Sequence, residues 1–348
     1  MAGHNEDKAA FFCFVVEATD SSDSPRRYLK EENAMEELSV MLFQEKFRYA
    51  NTFDYLAFTS TQEECTPNHE RVSGAWRRKI CEWSFEVVDH FEFDREVVSI
   101  ALSYLDRVVS LKTKESGVPM LRREFQLVAV TCLYLAIKLH GETDSYDGPR
   151  RKLKIHAFVE LSRGLFTVET LAAKEREILK MLEWEVNPPT TVRIVATMLR
   201  LLPECDLYEG ADSINTASAV YERARYLTEL AVCVSTFSFN YTTSEVAFAS
   251  ILCAMEALDD KVLIPREVRI EFLNRISQAT NLTPFAVDPV CQLLIELCPS
   301  MFPSERRRCG SVGSIAHPES DGKTSPVSVM NPNLYPESPR KRVRFQSS

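Results

Sequence analysis

The stretch LRREFQLVAVTCLYLAIKLH, Leu121–His140, decides how this chain folds. Phe125, Leu127, Val128, Ala129, Val130, Cys132, Leu133, Tyr134, Leu135, Ala136 and Ile137 leave it almost no polar face. A helix that is hydrophobic all round must be buried all round. The segment is therefore expected at the centre of a helical bundle. It ends in Lys138, Leu139 and His140, and a polar loop with Gly141, Gly148 and Pro149 follows. Next come a short helix near 155–161 and a stronger one over 167–182, with Thr167 as its N-cap. Pro188 and Pro189 end the unit, because proline lacks a backbone donor and restricts the residue before it. On the other side, a helix is expected over 73–91, with Trp76, Ile80, Trp83, Val87 and Val88 on one face. Another follows Asp94, carrying Val97, Val98, Ala101, Leu105, Val108 and Val109 at helical spacing. A further helix over about 36–49 precedes these five, and Thr59 to Asn68 reads as loop.

The pattern begins again after Pro189. Helices are expected over 192–202, 218–237, 244–258, 267–276 and 287–297. The third is again apolar nearly all round, from Val246 to Met255, and opens with Thr242 and Glu245 at capping-box spacing. Strand-like alternation is not evident. The fold class is thus all-α, with two tandem five-helix units. A flexible arm covers 1–35, the N-terminal helix and first unit 36–187, and the second unit 188–303. Residues 304–348, rich in serine, proline and arginine, have the composition of a disordered tail.

A chain of 348 residues accommodates two domains. Its net charge of -9 argues against a direct nucleic-acid partner. None of the ten cysteines forms a C-x-x-C pair, so no metal site is expected. Several lie in apolar helical patterns, as buried free thiols in a reducing compartment do. No apolar run reaches the roughly 18 residues that span a bilayer, so no membrane association is expected. No phosphate-cradling glycine loop and no H-E-x-x-H motif occurs, which argues against an enzyme and against a cofactor.

Trp76-Arg77-Arg78-Lys79-Ile80-Cys81-Glu82-Trp83, followed by Tyr104-Leu105-Asp106-Arg107, resembles the opening of a cyclin box. Leu133 to Lys138, then Lys174-Glu175, Ile178-Leu179, Leu182 and Pro188-Pro189-Thr190, resemble its middle and end. The resemblance covers roughly residues 36 to 300 and is stronger in the first unit. It implies two five-helix boxes in a regulatory subunit that binds and activates a cyclin-dependent protein kinase. The alternative is a transcription-associated cyclin-fold protein that pairs with a transcriptional kinase. Arg77 and Asp106 match the pair that ties the first box helix to the second. Lys138 and Glu175 match the residues that grip the kinase, and Leu135, Leu139 and Leu179 match apolar residues packed beside them. On spacing alone, Lys138 and Glu175 read more readily as solvated charges at helix ends; the motif match reverses that preference. Ile80, Trp83 and Glu86 match a groove that docks substrates, with Trp76 standing where the family has methionine. Lys79 stands where the family has isoleucine, and a charge there disfavours docking of a leucine.

The tails carry short motifs. Lys341, Arg342 and Arg344 form a nuclear-localisation pattern, which implies an import receptor and a nuclear protein that shuttles with the cytoplasm. A solvated basic end is the plain alternative. Arg342-Val343-Arg344-Phe345 also fits a docking motif for protein phosphatase 1. Ser24 and Ser338 each precede proline and basic residues, as phosphorylation sites of proline-directed kinases do. A phosphate on Ser338 adds about -2 charge beside the basic cluster. Arg26 to Leu29 fits a minimal R-x-x-L degradation signal.

Overall fold

The computed structural model describes residues 24–50, 52–61, 70–141, 153–203, 212–258 and 264–302. Among them are thirteen α-helices, a closing 3-10 turn and no strand beyond one isolated bridge between Arg71 and Leu121. None of these helices is long and apolar enough to cross a membrane. The first seven are α1 Ser24–Phe47, α2 Tyr55–Thr61, α3 Gly74–His90, α4 Glu96–Ser116, α5 Arg122–His140, α6 Ile155–Leu161 and α7 Val168–Met181. The second set is α8 Thr191–Leu199, α9 Asp212–Val232, α10 Ser235–Asn240, α11 Thr243–Leu258, α12 Arg266–Thr280 and α13 Pro284–Leu297.

Helices α3 to α7 form one bundle around α5, which is buried continuously from Val128 to Ile137. Ser73 caps α3 by accepting from Trp76 N, and Thr167 caps α7 by accepting from Thr170 N. Asp94 Oδ1 accepts from Glu96 N at 2.7 Å and so serves the start of α4. Gly117, with φ 67°, ends that helix in the left-handed region that favours glycine. The second bundle surrounds α11 and has a separate apolar core. At its start, Thr242 N donates to Glu245 Oε2 at 2.8 Å and Glu245 N donates to Thr242 Oγ1 at 3.2 Å. This is the reciprocal capping box that the spacing predicts.

Three expectations differ from what the chain does. The first helix begins at Ser24 rather than near 36, so the boundary placed at residue 35 falls inside α1. It also joins the second bundle rather than the first, with Ala34, Leu38 and Met41 buried in that core. Apolar residues at i, i+4 and i+7 give a helix its buried stripe but do not say which bundle receives it. Second, the segment read as loop from Thr59 begins as the end of α2. Asp54 Oδ1 starts this helix by accepting from Leu56 N and Ala57 N, both at 2.9 Å. Third, the helix expected over 218–237 breaks after Val232, where Val234 is extended. The carbonyl of Val232, left without a helical donor, accepts from Arg77 Nη1 at 2.8 Å.

That bond belongs to the seam between the bundles. Arg77 is 1% exposed and meets Asp106 through Nε–Oδ1 at 2.9 Å and Nη2–Oδ2 at 2.6 Å. Its Nη2 also donates to Ser238 Oγ at 2.8 Å, and Tyr55 Oη donates to Asp106 Oδ1 at 3.0 Å. The Arg77–Asp106 pair expected to tie two helices of one box thus also holds the other box. Burial opposes the Arg77 charge, yet the neighbouring Asp106 raises the guanidinium pKa above its ordinary value. Beside the pair lies a cavity of about 130 Å³ lined by Arg77, Asp106, Pro189, Thr190 and Ser238, room for a few waters.

Candidate partner-binding face

The last turn of α5 breaks through the surface of the first bundle. Its residues are enclosed up to Ile137, and then Lys138 and Leu139 emerge. Lys138 stands at a helix C-terminus, where the macrodipole favours a cation. Its Nζ lies 2.8 Å from Glu175 Oε1 on α7 and 5.6 Å from the Tyr134 ring centroid. The hydrogen bond to Glu175 raises the Lys138 pKa, against the smaller effect of burial. Glu175 is much the more enclosed partner, with 12% of its side chain exposed against 50% for Lys138.

Helix α7 is held in register from beneath and from the side. Leu171 and Ile178 are buried in the core, and Leu179 packs partly against it. Lys112 of α4 bridges Glu124 of α5 and Glu177 of α7, each at 2.6 Å. Lys174 of α7 adds a 2.7 Å bond to Glu177. The arrangement gives a rigid platform with a cation and an anion side by side at its edge.

The sequence-derived site residues separate into two groups. Lys138 and Glu175 come together at the surface, with Leu139 beside Lys138 43% exposed and Leu179, one turn beyond Glu175, partly packed against the core. Leu135 does not join them: it is 1% exposed and faces the core, one turn below Leu139. The groove candidates divide likewise. Ile80 and Trp83 are 4% and 1% exposed, so they pack the first bundle and do not line an open groove. Trp76 is partly covered, with the Arg122 guanidinium 4.6 Å over its ring, and Glu86 is on the surface. The side chain of Ser24, the R-x-x-L segment over 26–29 in its side-chain detail, and Ser338, Lys341, Arg342 and Arg344 lie outside the described residues.

Other exposed residues were not singled out from the sequence. Trp184 is 69% exposed just beyond α7. It and Glu183 are consecutive left-handed residues, with φ 61° and 51°, a conformation that costs non-glycine residues and gathers at functional surfaces. Arg48, at the end of α1, pairs with Glu185 at 2.8 Å, so Phe47 and Trp184 each flank one member of that bridge. Val40, Phe43 and Phe47 present an exposed apolar stripe along α1. The i, i+3, i+7 spacing of that stripe was visible in the sequence, but a second stripe on the same helix is the buried one.

Two helical bundles, with a charged pair set among exposed apolar residues and no cluster of metal-ligating side chains among the described residues, define an all-helical protein with a built contact surface. The model of the cyclin N-terminal domain matches residues 41–187. The G1/S-specific cyclin-E of Caenorhabditis elegans is 25% identical over 224 residues, 61% of this chain and 40% of that protein. Mouse G1/S-specific cyclin-D1 is 26% identical over 58% of this chain and 63% of its own length. Mouse G1/S-specific cyclin-D2 is 25% identical over 319 residues, 90% of this chain and 97% of that protein. The solved structure of a viral cyclin from herpesvirus saimiri aligns with a TM-score of 0.48 and 16% identity, over 71% of this chain and 97% of that one. Residues 41–187 match the cyclin N-terminal domain, and these similarities together support a divergent cyclin.

Proposed function

We propose that this chain is the regulatory subunit of a cyclin-dependent protein kinase, that it binds and activates its kinase in cell-cycle control, and that the first box carries the interface. The observation that supports this most is the Lys138–Glu175 pair at 2.8 Å on a braced platform, with exposed Leu139 next to Lys138 and Leu179 one turn beyond Glu175. A cation and an anion side by side can donate to and accept from a partner's backbone at once. Each such charge-assisted bond is worth about 1.5–3 kcal/mol when water is excluded. Leu139 and Leu179 supply apolar area that helps exclude it. The kinase needs its αC helix inward, so that its glutamate meets the lysine that holds the ATP phosphates. A subunit that binds this state better than the inactive one shifts the equilibrium and contributes no catalytic group. Nuclear entry through Lys341, Arg342 and Arg344, by way of an import receptor, belongs to the same reading.

The test is the double variant Lys138→Ala, Glu175→Ala. It should remain helical, and it should lose kinase co-purification and kinase activation, with an affinity loss of about 30-fold or more for a central hot spot. A folded double variant that still activates its kinase at wild-type affinity defeats the assignment.

A further inference from the structure

Cys81, on the buried face of α3, and Cys233, in the turn between α9 and α10, face each other across the seam with sulfurs 3.1 Å apart. About 1 Å of closure separates that contact from a disulfide bond length. A second pair, Cys253 and Cys291, also lies side by side and interacts, but its sulfurs are directed at backbone carbonyls as well. Cys253 Sγ points at the carbonyl of Cys291 at 3.8 Å, and Cys291 Sγ at that of Ala249 at 3.9 Å. Cys233 is partly exposed and open to a small oxidant, whereas Cys81 is buried behind it.

We propose that Cys81 and Cys233 form a redox modification site, oxidised by hydrogen peroxide to a disulfide that joins the two boxes. The Cys233 thiolate attacks one peroxide oxygen and the O–O bond breaks. The departing hydroxide takes up a proton and leaves as water, and Cys233 is left as a sulfenic acid. The Cys81 sulfur then attacks the sulfenic sulfur. The S–O bond breaks, hydroxide leaves with the Cys81 proton as a second water, and the S–S bond forms. Two thiols and one peroxide thus give one disulfide and two waters, the sulfurs losing two electrons and the peroxide gaining them.

The surroundings fit these roles. The Cys233 thiol is lowered from its ordinary value, chiefly because the Cys81 S–H donates to it; Arg77 and Arg78 help, while burial and Glu82 oppose. Burial pushes the Cys81 thiol well up, so it stays protonated until it resolves the sulfenic acid. The thiolate is the reactive form. Cys233 directly follows Val232, whose carbonyl already accepts from Arg77, so the disulfide would fasten covalently the turn that now rests on a hydrogen bond. In a reducing compartment such a bond is transient and reports oxidant. This inference does not depend on kinase binding.

The experiment treats the full chain with hydrogen peroxide, alkylates the remaining thiols and maps peptides without reduction. The expected result is a Cys81–Cys233 linked peptide and the loss of two alkylatable thiols. The melting temperature should rise by several degrees and return to its starting value on addition of dithiothreitol. Cys233→Ser and Cys81→Ala should each abolish the linked peptide, and Cys253→Ala should not. If Cys81→Ala fails to fold, the wild-type peptide map decides alone. Peroxide that carries Cys233 to a sulfinic acid with no linked peptide overturns the proposal, as does a bridge between any other pair in its place.

Discussion

Arg77 donates to four acceptor atoms at once, on Asp106, Val232 and Ser238. Truncating one partner of a buried pair strands the other's charge, and the usual cost is about 3–5 kcal/mol. Arg77→Ala should therefore lose stability of that order in chemical denaturation, because Asp106 is left in the core with only Tyr55 beside it. Arg77→Lys keeps the charge but cannot present the same planar fork, so its loss should be smaller yet clear. A change below ~1 kcal/mol for Arg77→Ala would show that the seam is not held this way. The pair was legible in the sequence through the motif around Trp76 and Asp106, but only for its link between two helices of one box. Its reach to Val232 and Ser238 was not, since nothing local marks a carbonyl that a distant arginine will claim. Trp184 was equally hidden: exposure and a left-handed backbone are set by how the chain leaves α7, not by residue type.

Helices that announce their own burial were read well, and those that depend on a partner were not. The all-round apolar runs place α5 and α11 without tertiary information, and the Thr242–Glu245 spacing marks where α11 begins. Helix α1 is the contrary case, because its receiving surface is made by helices far along the chain. Glu45 near its end is buried and receives Ser244 N at 2.7 Å and Ser244 Oγ at 2.6 Å, at the start of α11. Burial raises the Glu45 pKa above the ordinary 4.5, and the Ser244 bonds only partly offset this. A carboxyl whose folded pKa is raised binds its proton more tightly when folded. Its stabilising contribution is complete below pH 4.5 and is lost as pH rises through the folded value. Glu45→Gln keeps an acceptor for Ser244 N and removes the titration. It should flatten the dependence of stability on pH above 4.5 and match or exceed the wild type at pH 7. Glu45→Ala should instead cost about 1–3 kcal/mol at pH 7, because the Ser244 donors lose their partner. Equal damage from the two variants in urea melts at pH 7 would contradict this account.

For the whole molecule, the duplicated pattern in the sequence foretold two bundles with separate cores, and two cores are present. Truncation after Pro336 should shift a fluorescently tagged chain from nucleus to cytoplasm when expressed without excess kinase. Unchanged nuclear signal would remove the basic cluster from the proposed function. The packing of α1 on the second bundle has a further consequence, for synthesis. Ala34, Leu38 and Met41 leave the ribosome more than 200 residues ahead of Phe272 and Ile276, which complete the core that receives them. At about 5–20 residues per second, the helix waits for roughly ten seconds or more with its apolar stripe uncovered. During that time the first bundle can already be complete. The nascent chain thus carries a sticky leading helix beside a finished domain, and a chaperone that shields short amphipathic segments would have its longest opportunity there.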